Sequence, residues 1–227
     1  MNKKSTAIIC AYNEEKTIRE VVSIVCDNFF DEVVVVNDGS TDKTDDILNK
    51  LQEFYVFKYI KFDENNGKGF AMSTGVENAS SEIIVFVDAD LSNLKEDHLF
   101  ELAMPLVQNE SDMILGQATE TLIDYSINPF KSFTGERAVF KKDIQPIVDK
   151  MRNSRFGVET LINLYYQSEG KKVKYVMLDG LKHPTKFDKV SKRQAIKEFI
   201  KEGHQITSTV LKNFDLITST IKIRMGV

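Results

Sequence analysis

The sequence has no tryptophan, only two cysteines and three histidines in 227 residues. Cys10 sits in a strand-like run and Cys26 in a helix-like one, so both read as small core residues and no disulfide framework is expected. No apolar run approaches the roughly 20 residues that span a bilayer. The opening Met1-Asn2-Lys3-Lys4-Ser5 lacks a signal-peptide core, and a cytoplasmic location is expected. Internal repeats, low-complexity tracts and long linkers are absent. A net charge of −4 argues against a general nucleic-acid binder.

What is present is enough for a sizeable core: 42% apolar and 28% charged residues, in a length suited to one large domain or one domain with an appendage. The charge is uneven. From Lys182 to Val227 there are ten Lys/Arg against four Asp/Glu, a local +6, which leaves −10 for the first 181 residues. An anionic partner for the basic tail is one implication.

Short apolar runs alternate with helical periodicity. Thr6 to Ala11, Glu32 to Val36, Val56 to Phe62 and the run ending at Asp88 read as strands. Helical patterns follow at Ile18 to Val25, Asp42 to Phe54 and Gly69 to Asn78, with Asn13 as the expected N-cap of the first. This alternation predicts right-handed crossovers and a mostly parallel sheet. Beyond it, Leu94 to Gln108 reads as a helix bent or broken at Pro105, and Met113 to Leu115 as a short strand. Ala118 to Lys131 has weak periodicity. Asp143 to Met151 and Val158 to Gln167 read as helices, Lys172 to Leu178 as a strand ending in an Asp179-Gly180 turn, and the tail from Ser191 as amphipathic helix.

The sharpest feature is Ile83-Ile84-Val85-Phe86-Val87 followed by Asp88-Ala89-Asp90. A continuous apolar run reads as a strand buried on both faces. If the chain stays extended, the two acids point to one side, at the end of a strand where open α/β sheets bind ligands. Two convergent carboxylates suit Mg²⁺ or Mn²⁺, and such a cation suits a diphosphate. A solvated loop is the plainer alternative.

Five stretches in register, AIICAYNEEKTI at 7–18, VVVVNDGSTDKT at 33–44, NNGKGFAMSTGVENA at 65–79, IIVFVDADL at 83–91 and TGERAVFKKDI at 134–144, resemble the family 2 glycosyltransferases of GT-A fold. FGVETLINL at 156–164 and the His183 segment look most like members of the glucosyl-3-phosphoglycerate synthase type. The resemblance implies an α/β, Rossmann-like GT-A fold and a UDP-sugar donor. Ala11, Tyr12, Glu14 and Asp38 would then contact the nucleoside, Asp38 accepting from the base. Lys68, Asp88 and Ala89 would lie along the nucleotide, and Asp90, Asp88 and His183 would hold Mg²⁺ or Mn²⁺. Without it, Asp38 reads equally well as a turn residue bonded to backbone, and Lys68 as a solvated lysine in a glycine-rich turn that is no Walker loop. His183 alone could be a surface or cap residue.

On the acceptor side, the resemblance places Glu136, Arg137 and Glu159 around the sugar and acceptor, with either acid able to orient a hydroxyl or serve as general base. A base is required for an alcohol but not for an ionised phosphate. A local salt bridge between Arg137 and either acid is the structural alternative. Two departures matter. Gln117 stands where many polyprenyl-phosphate and phosphoglycerate enzymes carry a basic residue, which weakens a direct transfer of either acceptor to this chain. The missing tryptophan removes the Gln-x-x-Arg-Trp signature of processive synthases.

Residues 1–190 are expected to form the transferase domain, nucleotide-binding to about 117 and acceptor-binding from about 118, with 191–227 as an extension. There Ile206, Val210, Leu211, Phe214, Ile217 and Ile221 recur at helical spacing, to pack on the domain, in a homodimer, or at an anionic membrane surface. The expected function is metal-dependent transfer of a hexose from a UDP-sugar to a small phosphorylated, lipid-linked or glycan acceptor. The alternatives are a non-catalytic nucleotide-sugar-binding module and a sugar-nucleotide pyrophosphorylase. The latter normally has a glycine-rich basic loop where this chain has Tyr12-Asn13-Glu14-Glu15.

Overall fold

The structure, a computed structural model, describes residues 3–120, 134–182 and 203–225. Seven strands form one sheet: β1 (Ser5–Ala11), β2 (Glu32–Asn37), β3 (Lys58–Lys61), β4 (Ile83–Asp88), β5 (Met113–Glu120), β6 (Arg137–Phe140) and β7 (Val173–Lys182). Their order is β3-β2-β1-β4-β6-β5-β7. The first four are mutually parallel, β6 runs antiparallel to both neighbours, and β5 and β7 are parallel.

The period-two alternation of the strands divides the core into two layers. Ala7, Ile9, Val33, Val35, Ile83, Val85 and Val87 face α1 (Ile18–Cys26), α2 (Thr44–Leu51) and α4 (Glu96–Val107). Ile8, Val34, Val36, Ile84 and Phe86 face α3 (Lys68–Asn78), α6 (Val148–Arg152) and α7 (Val158–Ser168). A strand buried on both faces cannot alternate apolar with polar, which is why β2 and β4 are unbroken Val and Ile runs.

Chain direction around the sheet reverses between β1 and β4. From β1 the connections pass outward to β2 and β3 on one side, then return to β4 on the other. Ligands of open α/β sheets bind at the carboxyl ends of strands beside such a switch point. Here those ends are Ala11 and Asp88.

Several elements depart from expectation. Glu120 now closes β5, because β7 pairs alongside it as far as Lys182. Asp179-Gly180 is therefore not a turn ending the strand. Gly180, at φ +76, lies within β7 where the β5–β7 register shifts. The Asp143 to Met151 helix is three pieces, α5 (Lys141–Ile144), a 3-10 turn at Gln145–Ile147 and α6, since Pro146 lacks the N–H a continuous helix needs. By contrast α4 continues through Pro105 to Val107. Asn13 does not cap α1, which starts at Ile18 after a turn from Glu14.

Residues 203–212 are helical, and α8 (Phe214–Met225) follows, packed on α7. The inward face of this pair is Thr209, Asn213, Leu216 and Thr220, while Leu211, Phe214 and Ile221 are exposed. Ile206, Val210 and Ile217 are half-buried, so the apolar stripe turns only partly toward the domain. Small polar residues allow close approach instead, with Thr209 resting against Gly157. Among the described residues no helix is long and apolar enough to cross a membrane.

Candidate active site

Two loops form the floor at the ends of β1 and β2. Asn13, at φ +58, turns its side chain onto the neighbouring loop, where Oδ1 accepts from the backbone N–H of Thr41 (2.7 Å) and Asp42 (3.3 Å). The Glu14 N–H donates to Thr44 Oγ1 at 2.9 Å. Ala11 is buried, and its carbonyl accepts from the Asp38 N–H at 2.8 Å; Tyr12 is exposed.

Asp38 is 3% exposed, and both its oxygens receive backbone N–H groups, from Asn66 at 2.9 Å and Gly67 at 2.8 Å. Burial raises its carboxyl above the usual range, opposed by those two donors and by Arg155. The Asp38 carboxylate thus bonds backbone, that of the Asn66–Gly67 loop rather than of its own turn. It fixes the left-handed Gly67 (φ +98) that aims Lys68 from the start of α3.

Lys68 is the hub of the site. Its ammonium donates to Asp88 Oδ1 at 2.8 Å and to Glu159 Oε1 at 2.7 Å, so it is not a solvated lysine. Burial works to lower its pKa, but the two carboxylates prevail and hold it well above the usual lysine value. The Asp88 carboxyl is pushed up to about 6, first by burial; Lys68 opposes, while Glu136, Asp90 and Glu159 push it up further.

Asp90 is placed differently from expectation. β4 ends at Asp88, and Ala89-Asp90 form a turn rather than an extended continuation. The turn is held from α1's side, where Thr17 Oγ1 donates to the Ala89 carbonyl at 2.8 Å. Asp90 is still close enough to repel Asp88. His183 lies outside the described residues. Lys182 before it pairs with Ser92, two residues past Asp90, through N–H to O contacts of 3.0 and 3.1 Å. Among the described residues no three His, Cys, Asp or Glu side chains gather as a metal site. Asp88 and Asp90 nonetheless supply the hard oxygen donors that Mg²⁺ or Mn²⁺ prefers.

Glu136 and Arg137 are corrected from cleft-lining to interior positions, since both are fully buried. Arg137 pairs with neither acid's carboxylate. Its guanidinium donates to the Thr134 carbonyl, to Asn163 Oδ1 at 3.3 Å and to the Glu159 carbonyl at 3.4 Å. Burial pushes it below its usual range against the attraction of Glu159, Asp88 and Glu136. Glu136 accepts from Thr134 Oγ1 at 2.7 Å. Glu136 has no exposed surface in this arrangement, and Arg137 joins the Thr134 loop to α7 from the interior. Between them and the cleft, Gly135 lies directly against the Asp88 carboxylate, where any Cβ would collide. Gln117, too, is buried in β5.

Sequence reasoning missed Arg155. It is exposed, sits at φ +48, packs on Gly67 and pulls on the Asp38 carboxyl. A positive-φ arginine is uncommon, and only its neighbour Gly157 hinted at a turn.

This arrangement has relatives. A poly-β-1,6-N-acetyl-D-glucosamine synthase of Staphylococcus aureus (strain COL) is 33% identical over 87 residues, 37% of this chain and 21% of that protein. The Staphylococcus epidermidis synthase is 32% identical over 85 residues, again with 37% and 21% covered. The chain thus spans about a fifth of the length of the curated relatives it matches. In three dimensions it is similar to the glucosyl-3-phosphoglycerate synthase of Mycobacterium tuberculosis, solved with Mn²⁺, UDP and phosphoglyceric acid. The TM-score is 0.73 at 19% identity, over 92% of this chain and 78% of that one. The same enzyme with Mn²⁺, UDP-glucose and glycerol 3-phosphate gives 0.72 at 19% identity, covering 92% and 79%. At that identity the likeness concerns the fold, a GT-A architecture. The sequence itself decides the family: the model for glycosyl transferase family 2 matches residues 6–133, more than half of the chain, and this protein belongs to that family.

Proposed function

We propose that this protein transfers a hexose from a UDP-sugar to a small phosphorylated acceptor, with Mg²⁺ or Mn²⁺ at Asp88 and Asp90. The observation that carries the reading is the Lys68–Asp88–Glu159 cluster at the switch point between β1 and β4. In this reading the loops at 11–14 and 38 receive the nucleoside. Asp90 and Asp88, with His183 next along from Lys182, hold the cation, which supplies charge neutralisation to the departing diphosphate when bound. Lys68 bridges Asp88 and Glu159 through its ammonium and sets their positions. Glu159 is the acid left at the cleft to orient a sugar hydroxyl. Arg137 keeps the Thr134 loop and α7 in register from behind.

Support for the acceptor class comes from the tuberculosis enzyme, whose crystals held phosphoglyceric acid and glycerol 3-phosphate. A phosphorylated acceptor with a free hydroxyl needs a base, and Glu159 is the proposed one. The sugar has two readings: glucose, as in that enzyme's UDP-glucose complex, and N-acetylglucosamine, after the staphylococcal synthases. A cytoplasmic location accords with both donors.

The test is release of UDP from UDP-glucose and UDP-N-acetylglucosamine with Mn²⁺, with and without 3-phosphoglycerate or glycerol 3-phosphate. Release from one donor, abolished in Asp90→Ala, supports the proposal. Wild-type release in Asp90→Ala overturns the metal assignment. Tight UDP-sugar binding with no turnover on any acceptor favours the binding-module alternative.

A further inference from the structure

A second cavity opens at the other end of β4, about 720 Å³ in volume. It lies where β4 begins after Glu82, β5 begins after Asp112, and β6 runs out at Phe140. Since β4 spans six residues, about 17 Å separates it from Asp88.

Four lysines line it: Lys3, Lys141, Lys142 and Lys172. Among the described residues none of the four forms an ion pair. Two are already anchored through carbonyls, Lys141 Nζ to Ala79 O at 2.6 Å and Lys3 Nζ to Leu106 O at 3.1 Å. The Phe140 ring lies under two ammonium groups, 4.9 Å from Lys3 Nζ and 5.5 Å from Lys142 Nζ. Lys142 and Lys172 are exposed.

Three acids share the lining with the four lysines: Glu110 is held by Lys174 at 2.9 Å, Asp112 accepts the Lys172 backbone N–H at 2.8 Å, and Glu82 is exposed, so the lysines outnumber the acids by one. An independent observation points the same way. Ser81 and Ser111, each 4% exposed, line the cavity, and among the described residues neither hydroxyl has a hydrogen-bond partner. Buried hydroxyls are nearly always bonded, so two unbonded donors in one polar cavity ask for an acceptor.

Ammonium groups and hydroxyl donors around one space select a group that only accepts hydrogen bonds and carries negative charge. A phosphate does both. The volume exceeds what a bare phosphate fills and lies in the range of small-molecule sites. We infer that this cavity binds a small phosphorylated molecule, its phosphate held by Lys142 and Lys172. This site is separate from the donor site and does not depend on its assignment.

The test is calorimetric titration of the full chain, without divalent metal and at constant ionic strength, with glucose 6-phosphate, inorganic phosphate and glucose. The expected result is saturable binding of glucose 6-phosphate, weaker binding of inorganic phosphate and none of glucose. The variant Lys142→Ala/Lys172→Ala should bind at least tenfold more weakly at an unchanged melting temperature, and Asp90→Asn as wild type. Equal affinity for the two phosphates would reassign the ligand to free phosphate and overturn the organic part of the inference. No saturable binding, wild-type affinity in the lysine variant, or loss of binding in Asp90→Asn would overturn the site itself.

Discussion

Lys68 Nζ lies 2.7 Å from Glu159 Oε1, although the two residues are 91 positions apart. This contact joins the first residue of α3 to the first turn of α7, and the same ammonium holds Asp88 at the end of β4. One cation thus ties three segments of the chain into one site.

Lys68→Met leaves two carboxylates facing each other without their shared counter-ion. The three side chains are 13–21% exposed, so the cost is moderated by solvent. A loss of about 1–3 kcal/mol is expected in urea unfolding. In a double-mutant cycle Lys68→Met and Glu159→Gln should couple by roughly 1 kcal/mol or more; strict additivity would show that the contact carries no energy.

Gly135→Ala tests the packing behind Asp88. A methyl group there meets the Asp88 carboxylate directly. The carboxylate must shift, and misplacement of this kind costs about 100-fold in turnover. Turnover within threefold of wild type would mean that Asp88 need not stay where it is.

Arg137→Met should destabilise the protein by about 2–4 kcal/mol, because it strips bonds from Thr134, Glu159 and Asn163 inside the core. KM for the donor should change little in the fraction that folds. Unchanged stability with abolished turnover would return Arg137 to the cleft.

The thiols give a pH dependence. Burial pushes Cys10 above its usual range, with Lys68 opposing and Asp88 and Asp38 adding; burial pushes Cys26 up to about 11, with Asp27 adding. In the unfolded chain both ionise near pH 8.5. Above that pH the folded state binds more protons than the unfolded one, so stability present below pH 8.5 is lost as pH rises. The slope is about 1.4 kcal/mol per pH unit for each thiol between pH 8.5 and 10. Replacing both with alanine should flatten that part of the curve; an unaltered slope would assign it to other groups.

Much of the donor half was legible because it is local. Strand, turn and acid follow each other within ten residues at Ile83 to Asp90, and buried parallel strands announce themselves as Val and Ile runs. Asp90 does not extend from the strand because β4 ends at Asp88, two residues before it. β6 was hidden by its length of four residues and by Arg137, which looks like a surface residue and is fully buried. The Lys68–Glu159 contact was out of reach of local pattern altogether. In the tail, helical periodicity was real, but Thr209, Asn213 and Thr220 turn inward, and hydropathy ranks those residues as outward.

The proposed donor site lies at the carboxyl ends of β1 and β4. Thermal denaturation with UDP, GDP, UDP-glucose and UDP-N-acetylglucosamine, each with and without Mn²⁺, tests it most directly, since a ligand of the native state raises the melting temperature. The prediction is a Mn²⁺-dependent rise with UDP and one UDP-sugar, absent with GDP and absent in Asp90→Ala. No rise with any nucleotide, or the same rise in Asp90→Ala, would contradict it.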